Sequence, residues 1–215
     1  MPNHVFNTVT FNGTWEELIL LKTVLAEPAP IQLASIDKDY FNFNFHSVIT
    51  VDELIWNEYN GPQPEYKNIT ERLSHPSNHW YDWNVRVWGT KWNAYEVTCN
   101  DNLDENNLAN YTLSYSFSTA WSPPIGIINA MPKFLSSLNS KATFVWNYEE
   151  EQGWGGIYEG NNDELIQTES WDIPNSHADY VNHDNKYGCV CQWEDDQERW
   201  FSDCPQKTVG EKNNG

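Results

Sequence analysis

The sequence predicts an α+β protein in which helices cover one face of an antiparallel sheet. Three observations predict this class. Stretches in which apolar and polar residues alternate, as in half-buried strands, occur before and after helix-like stretches. A capping signal opens the first helix-like stretch, and a Ser-Pro-Pro signal opens the second one. Two strand-like stretches separate the two helices.

The N-terminal part predicts a strand followed by a helix. Residues 5–11 (VFNTVTF) alternate with the period of a strand and end at an Asn-Gly pair, which favours a turn. Thr14 fits a helix N-cap, and Glu17 follows three residues later, as in a capping box. We predict a helix over TWEELILLKTVL that stops before Pro28.

Residues 28–87 are interpreted as an insertion, because their signals are weaker. FNFNF at 41–45 alternates like a strand, whereas TVDEL at 50–54 resembles the start of a short helix. Residues 77–88 predict a helix, although a strand that includes its two valines stays an alternative. Three apolar residues share one face of that helix: Trp80, Trp83 and Val87.

The pattern is clearer in the next segment. AYEVTC at 94–99 and YTLSYSFSTAW at 111–121 predict two strands joined by an acidic, Asn-rich turn. Ser122 fits the N-cap of the following helix, with Pro123 at its first position. Pro132 is expected to kink that helix or divide it. A strand, ATFVWNYEE, and a hairpin of GWGGIYEG and DELIQTESW complete the pattern.

The resulting order is β-α-insertion-β-β-α-β, followed by extra C-terminal strands. This is the split βαβ, or ferredoxin-like, order, for which both helices lie on one face of the sheet. We predict a ferredoxin-like domain over residues 1–168. Residues 169–215, which are acidic and contain Trp and Cys, are expected to form an extension packed on or beside it.

The charge of the chain excludes several classes of function. There are 31 acidic and 12 basic residues, giving a net charge of -19, and 16 of the acidic residues lie in 141–215. Direct nucleic-acid binding is not expected, because it requires basic residues that neutralise phosphates. No apolar run reaches the roughly 20 residues that span a bilayer, and the N-terminus lacks a signal-peptide pattern. A cytoplasmic protein without a membrane partner is therefore expected.

Aromatic residues are abundant, with 12 Trp, 11 Tyr and 9 Phe. This content predicts a folded chain, because large rings bury more apolar surface than a disordered chain offers. Two interpretations of the Trp excess are open. The rings form an aromatic core, or several of them line a binding groove.

Motifs of the common enzyme classes are absent. The chain has no GxSxG, Walker, HExxH or dinucleotide-binding motif, so no catalytic residue and no cofactor are predicted. A carboxylate pair for glycoside hydrolysis stays open, but among 31 acidic residues some pair is inevitable. The four cysteines are expected to be free thiols. A weak zinc candidate lacks the usual spacing of paired cysteines; its residues are Cys189, Cys191, Cys204, His183 and His177.

Four stretches resemble a known family. They are the N-terminal MPNH before a strand, WGTKWNAY at 88–95, FSTAWSPP at 117–124 and EEQGWGGIY at 150–158. In this order they are similar to the YubB-like proteins of bacteriophages, prophages and conjugative plasmids. The resemblance implies a ferredoxin-like core and an origin in a mobile element, and it implies no established reaction. The chain departs from the family in its long acidic tail and in Val51, where the family often has proline.

Two of these stretches suggest a ligand site. The WGTKWN stretch lies where a helix turns into a strand, so Gly89 is expected to supply a left-handed cap. The STAW stretch ends a strand at a helix N-terminus, a place suited to anions. If the strands are neighbours, the site is either a Trp-rich layer with buried polar groups or a pocket for an anionic, nucleotide-like ligand. The candidate residues are Asn3, His4, Trp88, Thr90, Lys91, Trp92, Asn93, Thr119 and Trp121.

The leading functional hypothesis is a non-enzymatic, phage- or plasmid-encoded binding protein that acts in the bacterial host. Its expected target is a host defence or nucleic-acid-handling protein with a basic surface, inhibited through an acidic, aromatic-rich surface. The alternatives are a protein that binds or sequesters a small anionic ligand and a hydrolase acting on sugars or nucleotides. The candidate partner-binding residues are Glu149, Glu150, Glu151, Trp154, Trp193, Glu194, Asp195, Asp196 and Trp200.

Overall fold

A computed structural model describes residues 3–26, 43–74, 76–104 and 111–173. The zinc candidates lie outside these residues, as do the partner-binding candidates from Trp193 to Trp200. One compact unit comprises Met1–Glu151 and Gly155–Ser170, and the other residues form a second unit. The predicted domain boundary near residue 168 stays a prediction.

The described elements follow the predicted order, with a helical insertion after the first helix. The strands are β1 (His4–Gly13), β2 (Tyr95–Asn102), β3 (Tyr111–Ala120), β4 (Thr143–Glu150), β5 (Gly155–Gly160) and β6 (Leu165–Trp171). The helices are α1 (Trp15–Leu25), α2 (Phe45–Val48), α3 (Trp56–Tyr59), α4 (Ile69–Ser74), α5 (Trp80–Val87) and α6 (Ile125–Ser137), with a 3₁₀ turn at Glu53–Ile55.

The strands form one sheet in the order β2-β3-β1-β4-β5-β6. The central strand β1 pairs antiparallel with β3 and with β4, and β2 pairs antiparallel with β3. The first four strands therefore have the ferredoxin-like arrangement, and β5 and β6 extend the sheet beyond β4. The predicted fold class is confirmed.

One face of the sheet is buried and the other is largely exposed. In β1, Val5, Val9 and Phe11 have no exposed surface, whereas Phe6 between them is 57% exposed. This is the period-2 alternation on which the strand prediction rests. Helix α1 packs on β1 and β3, and α2 packs against both α1 and α6. The helical layer thus covers the buried face, as predicted.

The predicted capping box at the start of α1 is present. The Thr14 hydroxyl accepts a hydrogen bond from the Glu17 backbone N–H at 3.3 Å, and the Glu17 carboxylate accepts from the Thr14 N–H at 2.9 Å. Each bond satisfies a backbone donor that the first helical turn leaves unpaired. The other Glu17 oxygen accepts from the Lys141 N–H at 2.6 Å, which fixes α1 to the segment before β4.

In the insertion, the short helix expected after residue 50 and the helix at 77–88 are confirmed, and the strand alternative for 77–88 is wrong. The strand interpretation of 41–45 is wrong for residues 43–45, and residues 41 and 42 lie outside the described residues. Phe45 begins α2, because the Asn44 side chain caps that helix by accepting from the His46 N–H at 3.0 Å. The valines of residues 80–87 belong to α5, since this segment buries the helical face that carries Trp83.

One prediction for α6 is wrong, and of the two alternatives for Pro132 only a division of the helix is excluded. Ser122 is not the N-cap: its hydroxyl donates to the Gly89 carbonyl at 2.5 Å, and the helix begins at Ile125. Pro132 does not divide the helix, which continues to Ser137. Buried apolar residues before and after the proline hold the helix together through tertiary packing; they are Ile127, Ile128, Met131, Phe134 and Leu135.

A buried histidine in α2 makes the stability of this fold sensitive to acid. His46 is 6% exposed, its Nδ1 has no hydrogen-bond partner among the described residues, and its ring packs on Trp88 at 4.7 Å between centroids. Burial lowers the pKa of His46 from 6.5 to about 4. Because the unfolded chain binds this proton more readily, folding is favoured above pH 6.5 and loses that advantage as the pH falls towards 4.

We expect the free energy of unfolding to fall by up to about 3 kcal/mol between pH 7 and pH 4 through His46 alone. Urea unfolding gives the free energy of unfolding of wild type and of His46→Leu at several pH values. The other titrating groups contribute equally to both proteins, so the difference between the two at each pH isolates the effect of His46. Parallel pH profiles for the two proteins would contradict the prediction.

Candidate functional site

The connection from α5 to β2 and the connection from β3 to α6 lie side by side. Gly89 follows α5 in the predicted left-handed conformation, with φ of 86°. Its carbonyl accepts from the Ser122 hydroxyl, and the Gly126 N–H donates to the Trp88 carbonyl at 2.9 Å. Backbone contacts therefore bring together the two stretches that sequence analysis selected as a ligand site.

Three candidate ligand-binding residues of the connection from α5 to β2 have their polar atoms engaged within the fold. Trp88 is 1% exposed and donates to the Ile49 carbonyl. The hydroxyl of the fully buried Thr90 donates to the Ala120 carbonyl at 3.0 Å. The Asn93 side chain bonds to the Asn44 side chain and accepts from the Phe45 N–H, both at less than 3 Å. These residues order the two connections.

Thr119 belongs to a buried network that fixes the end of β3. It is fully buried; its hydroxyl accepts from the Asn7 side-chain amide at 3.0 Å and donates to the Ser122 carbonyl at 2.9 Å. Asn7 in turn accepts from the Trp146 indole at 3.2 Å. Each buried polar group here has a partner, so the network holds the β3–α6 connection in one position.

Lys91 lies among three aromatic rings, which together we name the Lys91 cage: Tyr81, Trp92 and Trp121. Its ammonium is 4.6 Å from the Trp92 ring, 4.5 Å from the Trp121 ring and 5.4 Å from the Tyr81 ring. These distances are typical of cation–π interactions. The two tryptophans are 39% and 45% exposed, so the cage opens to solvent. No carboxylate among the described residues lies within ion-pairing distance of the ammonium.

Two residues at this end of the sheet have backbone conformations that large side chains rarely adopt. Trp121 has φ of 69° and Glu96 has φ of 54°. The Trp121 N–H donates to the Asn3 carbonyl at 2.9 Å, and Glu96 lies in a bulge of β2 between Tyr95 and Thr98. Such conformations cost of order 1–3 kcal/mol and cluster at functional sites. The fold retains an indole at a position that glycine would occupy without strain.

A chain of polar contacts borders the cage on its β2 side. The Tyr95 hydroxyl lies 2.6 Å from His4 Nδ1, and the other ring nitrogen of His4 lies 3.9 Å from the Glu151 carboxylate. The Tyr95 ring packs on Trp92 at 6.2 Å. Burial raises the pKa of Tyr95, as do the charges of Glu96 and Glu151. The phenol therefore stays protonated at neutral pH, and the two carboxylates, Glu96 and Glu151, form what we call the acidic rim.

The acidic run Glu149-Glu150-Glu151 does not form a continuous patch. Glu150 is 3% exposed, and Asn3 donates to its carboxylate at 2.8 Å, whereas Glu149 and Glu151 are exposed. Successive residues of a strand point to opposite faces of the sheet, which separates Glu149 from Glu150. Trp154 is half-buried and belongs to the second unit. The partner-binding role of all these residues stays a prediction.

Sequence reasoning missed four residues around the cage: Tyr81, Tyr95, Glu96 and Arg72. Tyr95 stands inside the WGTKWNAY stretch, so its place in that motif was an available signal. Tyr81 and Arg72 belong to the insertion, and no spacing rule relates them to β2. Only the packing of α5 against the connection after it brings the Tyr81 ring to Lys91.

The described residues contain no group of three or more His, Cys, Asp and Glu side chains placed to hold a metal ion. None of the helices in this part of the chain is long and apolar enough to cross a membrane.

Residues 90–189 match a family model described as a ferredoxin-like domain in Api92-like protein. The chain is similar to that family. The match begins inside the connection that carries the Lys91 cage and takes in all the elements from β2 to β6. No curated protein and no solved structure matches the chain. The description agrees with the strand order, so the family model and the structure support the same fold class.

Proposed function

We propose that this protein is a non-enzymatic binding protein that recognises a basic surface of another protein through the Lys91 cage and the acidic rim. The observation that carries the proposal is the presence of two half-exposed tryptophans packed around a cation, with two carboxylates next to Tyr95, whose ring packs on Trp92. Tryptophan and tyrosine are enriched among the residues that dominate binding energy at protein interfaces.

Charge supports a basic partner. A net charge of -19 attracts cationic surfaces over a distance of about a Debye length and accelerates encounter with them. Once the partners are in contact, the rings supply buried apolar area and the rim carboxylates select positively charged side chains. Binding of this kind weakens as the salt concentration rises.

We further propose that the partner is a protein of a bacterial host, acting in defence or in nucleic-acid handling, and that binding inhibits it in the host cytoplasm. The resemblance to YubB-like proteins of phages and plasmids supports the host setting. Proteins that handle nucleic acids carry basic surfaces for phosphates, and an acidic protein with exposed rings competes for such surfaces.

A second candidate function is the binding of a small anionic ligand, such as a nucleotide, at Lys91. The observation that favours it is the absence of a carboxylate partner for the Lys91 ammonium among the described residues. Exposed indoles would then stack on the ligand ring while the ammonium pairs with its phosphate. The acidic rim and the overall charge oppose this alternative.

Affinity purification of the tagged protein from bacterial host cells, at moderate and at high salt, tests the proposal. We expect one stoichiometric partner at moderate salt that is lost at high salt. Reversing both rim charges, Glu96→Lys with Glu151→Lys, is expected to reduce recovery of that partner at least tenfold. The matched control, Glu159→Lys with Glu164→Lys, makes the same charge change at exposed residues of the β5–β6 region. Equal losses in the two variants, or the absence of any partner, would refute specific recognition by the rim.

A further inference from the structure

We propose that the Lys91 cage is a binding site for a cationic side chain, and that Lys91 occupies it only until the guanidinium or ammonium group of a basic partner displaces it. The inference rests on the proposed function, since it names the group of the partner that the surface recognises. It adds a specific role for Lys91, which is that of an internal competitor.

The cage has the composition and dimensions of a cation site. Three rings present their faces to one ammonium within 5.4 Å, and the two nearest are indoles, which interact with cations most strongly. An ammonium that already sits there shows that the space between the rings admits a group of this charge and size. A guanidinium also stacks on indole faces and offers more donors at the rim.

The Lys91 ammonium is weakly held in the cage. It has no ion pair within the described residues, where it contacts the aromatic rings of the cage. An exposed cation–π contact contributes only about 0.5–1 kcal/mol, and the four-carbon stem of lysine is flexible. A partner that brings an arginine together with neighbouring contacts therefore displaces it at low cost.

The cage keeps its shape when the Lys91 side chain leaves. The Lys91 carbonyl accepts from the Asn84 side chain at 2.9 Å, so its backbone is held independently of the ammonium. The Trp121 backbone is held by its bond to Asn3, and the Tyr81 ring is covered by the Arg72 guanidinium at 4.3 Å. The site is thus preorganised, which lowers the cost of binding a new cation.

Charge at the site favours a cationic ligand over an anionic one. The charge of Arg72 is neutralised by its ion pair with the buried Asp82, whereas Lys91 has no ion pair with any described residue. Glu96 and Glu151 stand next to Tyr95, whose ring packs on Trp92. When a partner displaces Lys91, the Lys91 ammonium moves into solvent. The incoming cationic group then contacts the aromatic rings of the cage and the carboxylates of the acidic rim.

The test is the substitution Lys91→Met, which keeps the apolar stem and removes the charge. N-acetylarginine amide and tetramethylammonium chloride are the probes, and quenching of tryptophan fluorescence reports binding. We expect Lys91→Met to bind both probes about fivefold or more tightly than wild type, because it removes the charge that competes with them for the rings. Trp121→Gly, which suits the left-handed backbone, is expected to lose that binding in both backgrounds. Lys141→Met is the matched control for removal of an exposed lysine.

Unchanged or weaker binding of the cationic probes by a folded Lys91→Met variant would overturn the inference. If adenosine monophosphate binds wild type and this substitution abolishes its binding, the anionic-ligand alternative is correct instead. The partner experiment separates the two proposals. If wild type and Lys91→Met retain a partner equally, and the partner depends on the acidic rim, the proposed function is supported and the displacement of Lys91 from the cage is refuted. Tighter probe binding without any basic partner would leave the cation site and remove the proposed function.

Discussion

Replacing Gly126 with alanine is expected to lower the free energy of unfolding by more than about 3 kcal/mol. Gly126 lies in the first turn of α6, where its N–H donates to the Trp88 carbonyl. A Cβ at this position would overlap the carbonyl oxygen of Val87 and lie 3.0 Å from the carbonyl carbon of Trp88. Both are backbone atoms at the end of α5, so no flexible side chain can move aside.

The same substitution is expected to displace the connection that carries Lys91 and Trp92, because it separates α6 from the end of α5. Urea unfolding measures the loss of stability, and tryptophan fluorescence under native conditions reports the change around the cage. Asn129→Ala, at an exposed position of the same helix, is the control and should stay within about 0.5 kcal/mol of wild type. A Gly126→Ala protein as stable as this control would show that the two helices are not held by this close approach.

Local signals were sufficient to predict most of the framework. The alternation of β1 follows from its central place in a sheet with one buried face, and the capping box of α1 follows from Thr14 and Glu17 alone. The failed predictions are those in which tertiary contacts outweigh a local preference. Ser122 has the composition of an N-cap, yet its hydroxyl bonds to Gly89, a residue 33 positions away in sequence.

For the candidate site too, the features with a local cause were predicted and those that depend on tertiary packing were not. The sequence identified the two connections and Gly89, because glycine in a helix-to-strand turn has a local conformational cause. It did not separate the residues that hold the connections from those that face solvent. Thr90 and Lys91 are neighbours, but one is fully buried and the other lies in an open aromatic cage. That difference depends on the positions of α5 and α6, which no spacing rule provides.

Replacing Asp82 with alanine is expected to destabilise the protein by about 3–5 kcal/mol, because it leaves the Arg72 charge without its partner. The Asp82 side chain is only 4% exposed. Its carboxylate accepts from Arg72 Nε at 2.7 Å, from the Tyr66 hydroxyl at 2.7 Å and from the Ser77 hydroxyl at 2.8 Å. Burial acts to raise the pKa of Asp82, but these hydrogen bonds and the Arg72 charge outweigh it, so the pKa is lowered.

A carboxylate with a lowered pKa stabilises the folded state above its unfolded pKa, and this contribution disappears as acid protonates it. Urea unfolding of wild type, Asp82→Ala, Arg72→Met and the double variant gives a double-mutant cycle for the free energy of unfolding. We expect the double variant to be less destabilised than the sum of the single variants, because removing both charges leaves neither unpaired. Additive losses would mean that the pair does not act as a unit.

Since Arg72 covers Tyr81, Asp82→Ala should also disorder one wall of the Lys91 cage and weaken cation binding even where the protein stays folded.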